Sequence, residues 1–422
     1  MKFYRETEFQ ETEIGKIPID WKVTKLGEIT LEMYYGLTAK AVDYPTELKM
    51  LRTTDIKDYN VSWEDLPYCE ITDNRKFNIQ KYLLRRDDII ISRAGTAGVS
   101  VLVEKDFENV IFGSYLIKVR LNTPLAFPKF IRYYFQSRYY WKQILPKQAG
   151  STLKNISLPT LRRIVTPLPP FEEQKRITDI LSTVDKTLED VDKTISRLER
   201  LKKALMGELL TGRIRVKEVD GKLTFYRETE FQETEIGKIP RDWKIKKLGE
   251  LLEFAHGKRP GMLLTNGGIP IYGAGGFYGY TNTYLVNKPA ILVIARVGKG
   301  SVGKVYLVRG SVWITDNAIY GYSKDPSGLT ATYAYHWLIF DENWVEKYVR
   351  RSAGGYAIIT LDSLENLKIP VPTISEQANI VNVIYLFTKV IELHHEEKRR
   401  LERLKRGLMH MLLTGKIRVR ES

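Results

Sequence analysis

The chain has 422 residues, 43% of them hydrophobic and 28% charged, which is enough for two or more soluble globular domains with buried cores. No apolar run reaches the roughly 18 residues needed to cross a bilayer, and the start MKFYRETEFQ is too polar for a signal peptide, so the expected location is cytoplasmic. One cysteine, Cys69, excludes an internal disulfide, the five histidines (His256, His336, His394, His395, His410) lack zinc-site spacing, and 66 Lys plus Arg against 51 Asp plus Glu leave a net charge of +15.

That surplus favours a polyanionic partner, above all nucleic acid, with a solvated basic surface as the alternative. Neither a metal nor a cofactor is expected.

In chain order, the first block is FYRETEFQETEIGKIP, residues 3–18, and it recurs letter for letter at residues 225–240. The match continues as IDWKVTKLGEI against RDWKIKKLGEL and fades near residues 30 and 252. It returns as LPPFEEQ (168–174) against VPTISEQ (371–377), and as RLERLKKALMGELLTGRIRV (197–216) against RLERLKRGLMHMLLTGKIRV (400–419). The chain is therefore two half-units, each a shared frame around a variable insert.

The inserts carry most of the charge. Residues 30–165 hold 21 basic and 14 acidic side chains, and residues 252–368 hold 12 and 8. Both read as β-rich, with basic and aromatic residues at turns. DDIIISRAGTAGVSVLVE predicts strand, Gly-rich turn and strand, with Arg93 and Thr96 at the turn, and AILVIARVGKGSVGKVYLV predicts the same form, with Arg296 and Lys299. Glycines permit close backbone approach, and the neighbouring Arg or Lys can meet phosphates or guanine edges. YGAGGFYGYTN, from Tyr272, alternates small and aromatic residues, while QAGSTLKNISL and RSAGGYAIITL align just ahead of each frame helix. Ordinary hairpin loops with solvated charges remain the alternative for each stretch taken singly.

Two frame segments predict long helices. Ile177, Leu181, Val184, Leu188, Val191, Ile195, Leu198, Leu205 and Leu209 recur at steps of four and three, broken at Lys202, which is a heptad seam. Pro169 and Pro170 precede it and Gly212 follows it. Some 35 residues give a rod of roughly 50 Å. The second seam runs Ile380, Ile384, Phe387, Ile391, His394, Lys398, Leu401, Lys405, Leu408 and Leu412, more polar in its middle, and Thr373 with Glu376 has the spacing of a capping box. The simplest arrangement pairs the two helices antiparallel within the chain; dimerisation of two chains, or a seam that takes a partner at His394 and Lys398, are the alternatives.

Three stretches come near to catalytic signatures. Leu168-Pro169-Pro170-Phe171 differs by one residue from the Asn/Asp-Pro-Pro-Phe/Tyr motif of DNA amino-methyltransferases, and a leucine cannot accept the bonds that motif needs. Gly298 to Gly303, GKGSVG, fits a dinucleotide fingerprint but is followed by the strand-like KVYLV rather than a helix. Asp87, Asp88 and Glu104 lack the spacing of a nuclease metal site. No catalytic centre is expected.

In their order, duplication and spacing, the blocks IGKIPIDWKVTKLGE and IGKIPRDWKIKKLGE, LPPFEEQ and VPTISEQ, and LLTGRIRV and LLTGKIRV resemble the DNA-specificity (S) subunits of type I restriction-modification systems. The resemblance covers essentially the whole chain. It implies an α+β fold in which two β-rich target-recognition domains are joined by two long antiparallel coiled-coil helices, in a pseudo-twofold internal repeat. The implied divisions are residues 1–165 (variable insert 30–165), 166–216 as central helical spacer, 217–368 (variable insert 252–368) and 369–422 as distal spacer. The implied partners are double-stranded DNA, two modification subunits and restriction subunits, with methyl transfer and cleavage carried by those subunits. The candidate DNA-binding residues are Arg93, Thr96, Lys147, Ser151, Thr152 and Lys154 in the first half, and Lys258, Arg259, Tyr272, Tyr278, Arg296, Lys299 and Tyr356 in the second. VPTISEQ departs from the pattern by lacking the second proline and first glutamate of LPPFEEQ, which puts the helix start there in doubt.

Overall fold

A computed structural model of the chain describes residues 2–72, 78–145, 155–264, 266–297, 302–341, 343–351 and 357–420. Two units divide the chain, residues 1–191 with 397–422 and residues 192–396. Their boundary cuts both long helices, Phe171–Leu210 and Ile374–Leu412, so each unit holds half of each.

Within each unit the halves run antiparallel. In the first, Ile177 and Leu181 share a buried core with Met409, Leu412 and Leu413, while Asp185 Oδ1 meets Lys405 Nζ at 2.6 Å. In the second, Met206, Leu209 and Leu210 pack with Ile380, Val383 and Ile384, and Glu199 approaches His395. The ion pair explains why a lysine tolerates the seam at position 405: Asp185, which also accepts from the Tyr133 hydroxyl at 2.7 Å, offsets its loss of hydration. The first helix begins at Phe171, six residues ahead of the first seam residue. Both helices end at an αL glycine, Gly212 (φ 72°) and Gly415 (φ 65°). A Cβ on either would lie 2.3 or 2.2 Å from Pro240 or Pro18, so the frame prolines also demand glycine there.

The frame closes on a buried arginine in each unit. Arg418 donates to both oxygens of Glu173 (2.7 and 2.8 Å), to both of Asp20 (2.8 Å each) and to Glu6 (2.6 Å). Arg215 stands in the same relation to Glu376, Asp242 and Glu228. In both, a tryptophan N–H completes the site: Trp21 to Glu173 and Trp243 to Glu376, each 3.1 Å. These partners come from the identical blocks (Glu6, Glu228), their continuation IDW or RDW (Asp20, Trp21, Asp242, Trp243), the helix starts and the terminal RIRV or KIRV strands, which is why these segments recur together. The glutamate missing from VPTISEQ costs the frame no buried contact, because its counterpart Glu172 is an exposed partner of Lys175. The Thr373 hydroxyl accepts from Glu376 N at 3.3 Å, but the Glu376 carboxylate goes to Arg215 and Trp243 instead of completing a capping box.

The flanking strands repeat as well. Lys2–Arg5 pairs antiparallel with Ile417–Arg420, as Ile214–Val219 pairs with Lys222–Arg227. Lys22–Lys25 pairs with Val165–Leu168, and Lys244–Lys247 with Lys368–Val371.

The inserts are built on related sheets of different size. In the first unit a four-stranded sheet orders Ser100–Leu102, Asp88–Ser92, Leu116–Leu121 and Thr30–Tyr35, and a second orders Val110–Phe112, Lys49–Leu51, Tyr68–Ile71 and Ala39–Val42. The second unit has one six-stranded sheet, Leu252–His256, Ala318–Ser323, Val286–Ala295, Val305–Ile314, Ile269–Gly273 and Gly276–Thr281. Helices Pro128–Gln136 and Leu329–Phe340 cover one face in each unit. Both strand pairs of that reading are present: Asp88–Ser92 with Ser100–Leu102, and Val286–Ala295 with Val305–Ile314, run antiparallel, while residues 298–301 between the second pair lie outside the described residues. No helix opens after GKGSVG, so that stretch joins two strands.

Candidate nucleic-acid interface

Arg93 and Arg296 leave their sheets at equivalent points. Arg93 N donates to Tyr115 O at 2.9 Å, and Arg93 O accepts from Ile156 N at 2.8 Å. Arg296 N donates to Asn317 O at 3.0 Å, and Arg296 O accepts from Ile359 N at 3.0 Å. Isolated bridges Ala94 to Asn155 and Val297 to Ile358 follow in each. Two inserts of different sequence thus hold an arginine on one backbone frame.

A glycine makes that frame possible. Gly36 N donates to Leu116 O, and Gly257 N donates to Ala318 O, both at 3.1 Å. A Cβ on Gly36 would sit 2.2 Å from Phe112 O, and one on Gly257 2.0 Å from Thr315 O. Only glycine lets the strands Thr30–Tyr35 and Leu252–His256 pass so near the segments 113–115 and 315–317 that carry the arginines' partners.

Side-chain settings differ. The Arg93 guanidinium lies over the Tyr35 ring, 4.2 Å from its centroid, and Nε donates to Asn155 Oδ1 at 3.0 Å. Stacking and a fixed Nε leave the terminal NH2 groups aimed as a unit, the arrangement that suits a guanine edge or a phosphate. Thr96 is exposed at the hairpin turn, its carbonyl accepting from Val99 N at 3.1 Å.

In the second unit Arg296 Nη1 donates to Asp316 O at 3.4 Å. Arg259 Nε meets Asp316 Oδ2 at 2.7 Å, with Arg259 largely exposed. Lys258 is exposed, and its carbonyl takes the Trp313 indole N–H at 2.7 Å. Arg259, Leu263, Gly276, Tyr278, Asp316 and Asn317 line an open groove of about 410 Å³. Tyr278 stands 64% exposed at its edge. Tyr272 is half-buried, edge-on to Phe277 at 5.9 Å, and packs on the core beneath. His256 sits nearby with its pKa held below the ordinary histidine value by partial burial and the Arg296 charge.

The structure therefore brings Arg259, Tyr278 and Arg296 together around one segment and places Arg93 and Thr96 about one turn. Lys147, Ser151, Thr152, Lys154, Lys299 and Tyr356 lie outside the described residues. Sequence reasoning missed Tyr35, Tyr115, Asn155, Asp316 and Asn317. Asn155 falls inside QAGSTLKNISL, but nothing local marks the others, which meet the arginines through strand pairing. No helix among the described residues is long and apolar enough to cross a membrane.

Comparison with known proteins gives one consistent answer. The type I restriction modification DNA specificity domain matches residues 18–200 and 240–403. Two Methanocaldococcus jannaschii proteins named as specificity subunits of type I restriction enzymes are similar end to end. MjaX is 29% identical over all of this chain and 99% of its own length; MjaVIII is 25% identical over all of this chain and 98% of its own. Among solved structures, the type I restriction-modification S subunit from M. genitalium covers 93% of the chain and 96% of its own length at 17% identity and a TM-score of 0.56. A chain from a study of complex assembly in a type I system covers 95% and 99%, at 17% identity and 0.58. At that identity the likeness is one of fold.

Proposed function

Because the chain belongs to the type I restriction-modification DNA specificity family, as its non-catalytic recognition component, we propose that it reads a split duplex target, one half through each insert. The observation that carries this reading is the pair of equivalent arginines, Arg93 and Arg296, held by the same backbone bonds on inserts of different sequence. In each half, Lys and Arg neutralise phosphates while side chains beside the arginine read base edges. Residues 1–165 and 217–368 are the readers, and the helical segments 166–216 and 369–422 set the gap between half-sites. The duplicated frame offers two like surfaces, which supports docking of two copies of one modification subunit with restriction subunits joining them, in the cytoplasm where duplex DNA is met.

The test is to co-purify the chain with its modification subunit and select bound sites from random duplex DNA. The expected result is a split motif with a fixed gap. Salt-sensitive binding without any motif would refute sequence reading and leave a basic scaffold.

A further inference from the structure

The reading arginines are equivalent, yet the two inserts differ in sequence, so groups that tell one half-site from the other lie where the common frame carries different side chains. The backbone bonds identify such a place. Tyr115 O and Asn317 O accept from Arg93 N and Arg296 N, which makes Ser114-Tyr115 the structural counterpart of Asp316-Asn317. In the first unit this segment presents an aromatic ring, Tyr115, 65% exposed. In the second it presents a carboxylate and an amide.

Asp316 is the informative one. An acidic side chain on a face that must approach phosphates lowers affinity for every sequence, so its placement there suits discrimination better than grip. It is coupled to Arg259 at 2.7 Å, so that a donor fork and an acceptor stand side by side. That pattern complements the major-groove edge of a G·C pair, where guanine O6 and N7 accept and cytosine N4 donates. Asn317 backs it: its Oδ1 accepts from Ala274 N at 3.1 Å and also bonds the Thr315 hydroxyl. With Oδ1 taken, Nδ2 is the donor that remains for a neighbouring base.

We propose that the segment following the strand Val110–Phe112 in one unit and Val305–Ile314 in the other is the specificity-determining element of each insert. Asp316 with Arg259 reads a G·C pair in the half-site of the second unit, and Tyr115 contacts the half-site of the first. This rests on the DNA-reading function proposed above and adds which residues choose the bases.

The experiment selects sites from random duplex DNA with the full chain bound to its modification subunit, as wild type, Asp316→Asn, Asn317→Ala and Tyr115→Ala. Asp316→Asn keeps an oxygen for Arg259 but removes the charge and one acceptor. It is expected to erase the preference at one G·C pair, costing about 5- to 150-fold in affinity for the selected site, while affinity for unrelated duplex holds or rises. Tyr115→Ala is expected to alter only the other half. Thermal melting of each variant near the wild-type value identifies the change as one of readout. A wild-type split motif that Asp316→Asn and Asn317→Ala leave untouched overturns the proposal, as does an Asp316→Asn change at an A·T pair or in the half altered by Tyr115→Ala. A wild type that selects no motif refutes the parent reading instead.

Discussion

Replacing Arg215 by methionine tests whether the buried arginine holds the second unit's frame together. Arg215 is 7% exposed and Glu376 8%, Glu228 14% and Asp242 61%. Without the guanidinium, Asp242 rehydrates at little cost. Glu376 cannot, and among the described residues it keeps only the Trp243 N–H. A stranded buried carboxylate of this kind costs about 3–5 kcal/mol. The same loss is expected for Arg418→Met in the first unit, since Glu173 is 4% exposed in an equivalent site. Urea unfolding measures the loss, and amide hydrogen exchange localises it to the unit that was changed. The cost also depends on pH. Hydrogen bonds from Arg215 hold the Asp242 carboxyl below its ordinary value of 3.8, a contribution present above that value and lost as pH falls through the lower folded one. The gap between variant and wild type therefore narrows in acid. Adding Glu376→Gln to Arg215→Met should recover most of the stability, through a strong coupling between neighbours. A loss under about 1 kcal/mol, or no recovery in the double variant, would refute the argument that an uncompensated charge is what makes the frame costly to break.

Arg93→Lys keeps the charge but loses the planar fork over Tyr35, so it should relax base preference with little change in salt dependence, whereas Arg93→Ala should lower both; binding titrations at several salt concentrations separate the two. Gly257→Ala puts a methyl 2.0 Å from Thr315 O; the expected result is a loss of about 1–3 kcal/mol by thermal melting and a disturbed half-site for the second unit only. His336 is held down to about 4 by burial and the Lys202 and Arg309 charges, and its Nδ1 has no hydrogen-bond partner among the described residues. The unfolded chain takes up this proton below pH 6.5 and the folded chain does not, so stability should fall by up to about 3 kcal/mol from pH 6.5 to 4. His336→Leu should flatten that slope in pH-dependent unfolding.

The amino-acid sequence by itself determined the duplication, the heptad seams, the glycine that ends the first helix and the basic, strand-rich character of the inserts. These are periodicities and local preferences, set by neighbours along the chain. Arg93 and Arg296 could be singled out for the same reason, each following a strand and preceding a glycine-rich stretch. What surrounds them was decided only by tertiary structure. Tyr115 lies 22 residues beyond Arg93, and Asp316 is 57 residues from Arg259 and meets it through the six-stranded sheet. Glu376 meets Arg215 across 161 residues. Side chains at such separations carry no shared local pattern, because their proximity comes from strand register and from close passage at Gly36 and Gly257. The residues proposed to choose a base therefore come together only through folding, while the frame that presents them is written twice in the chain.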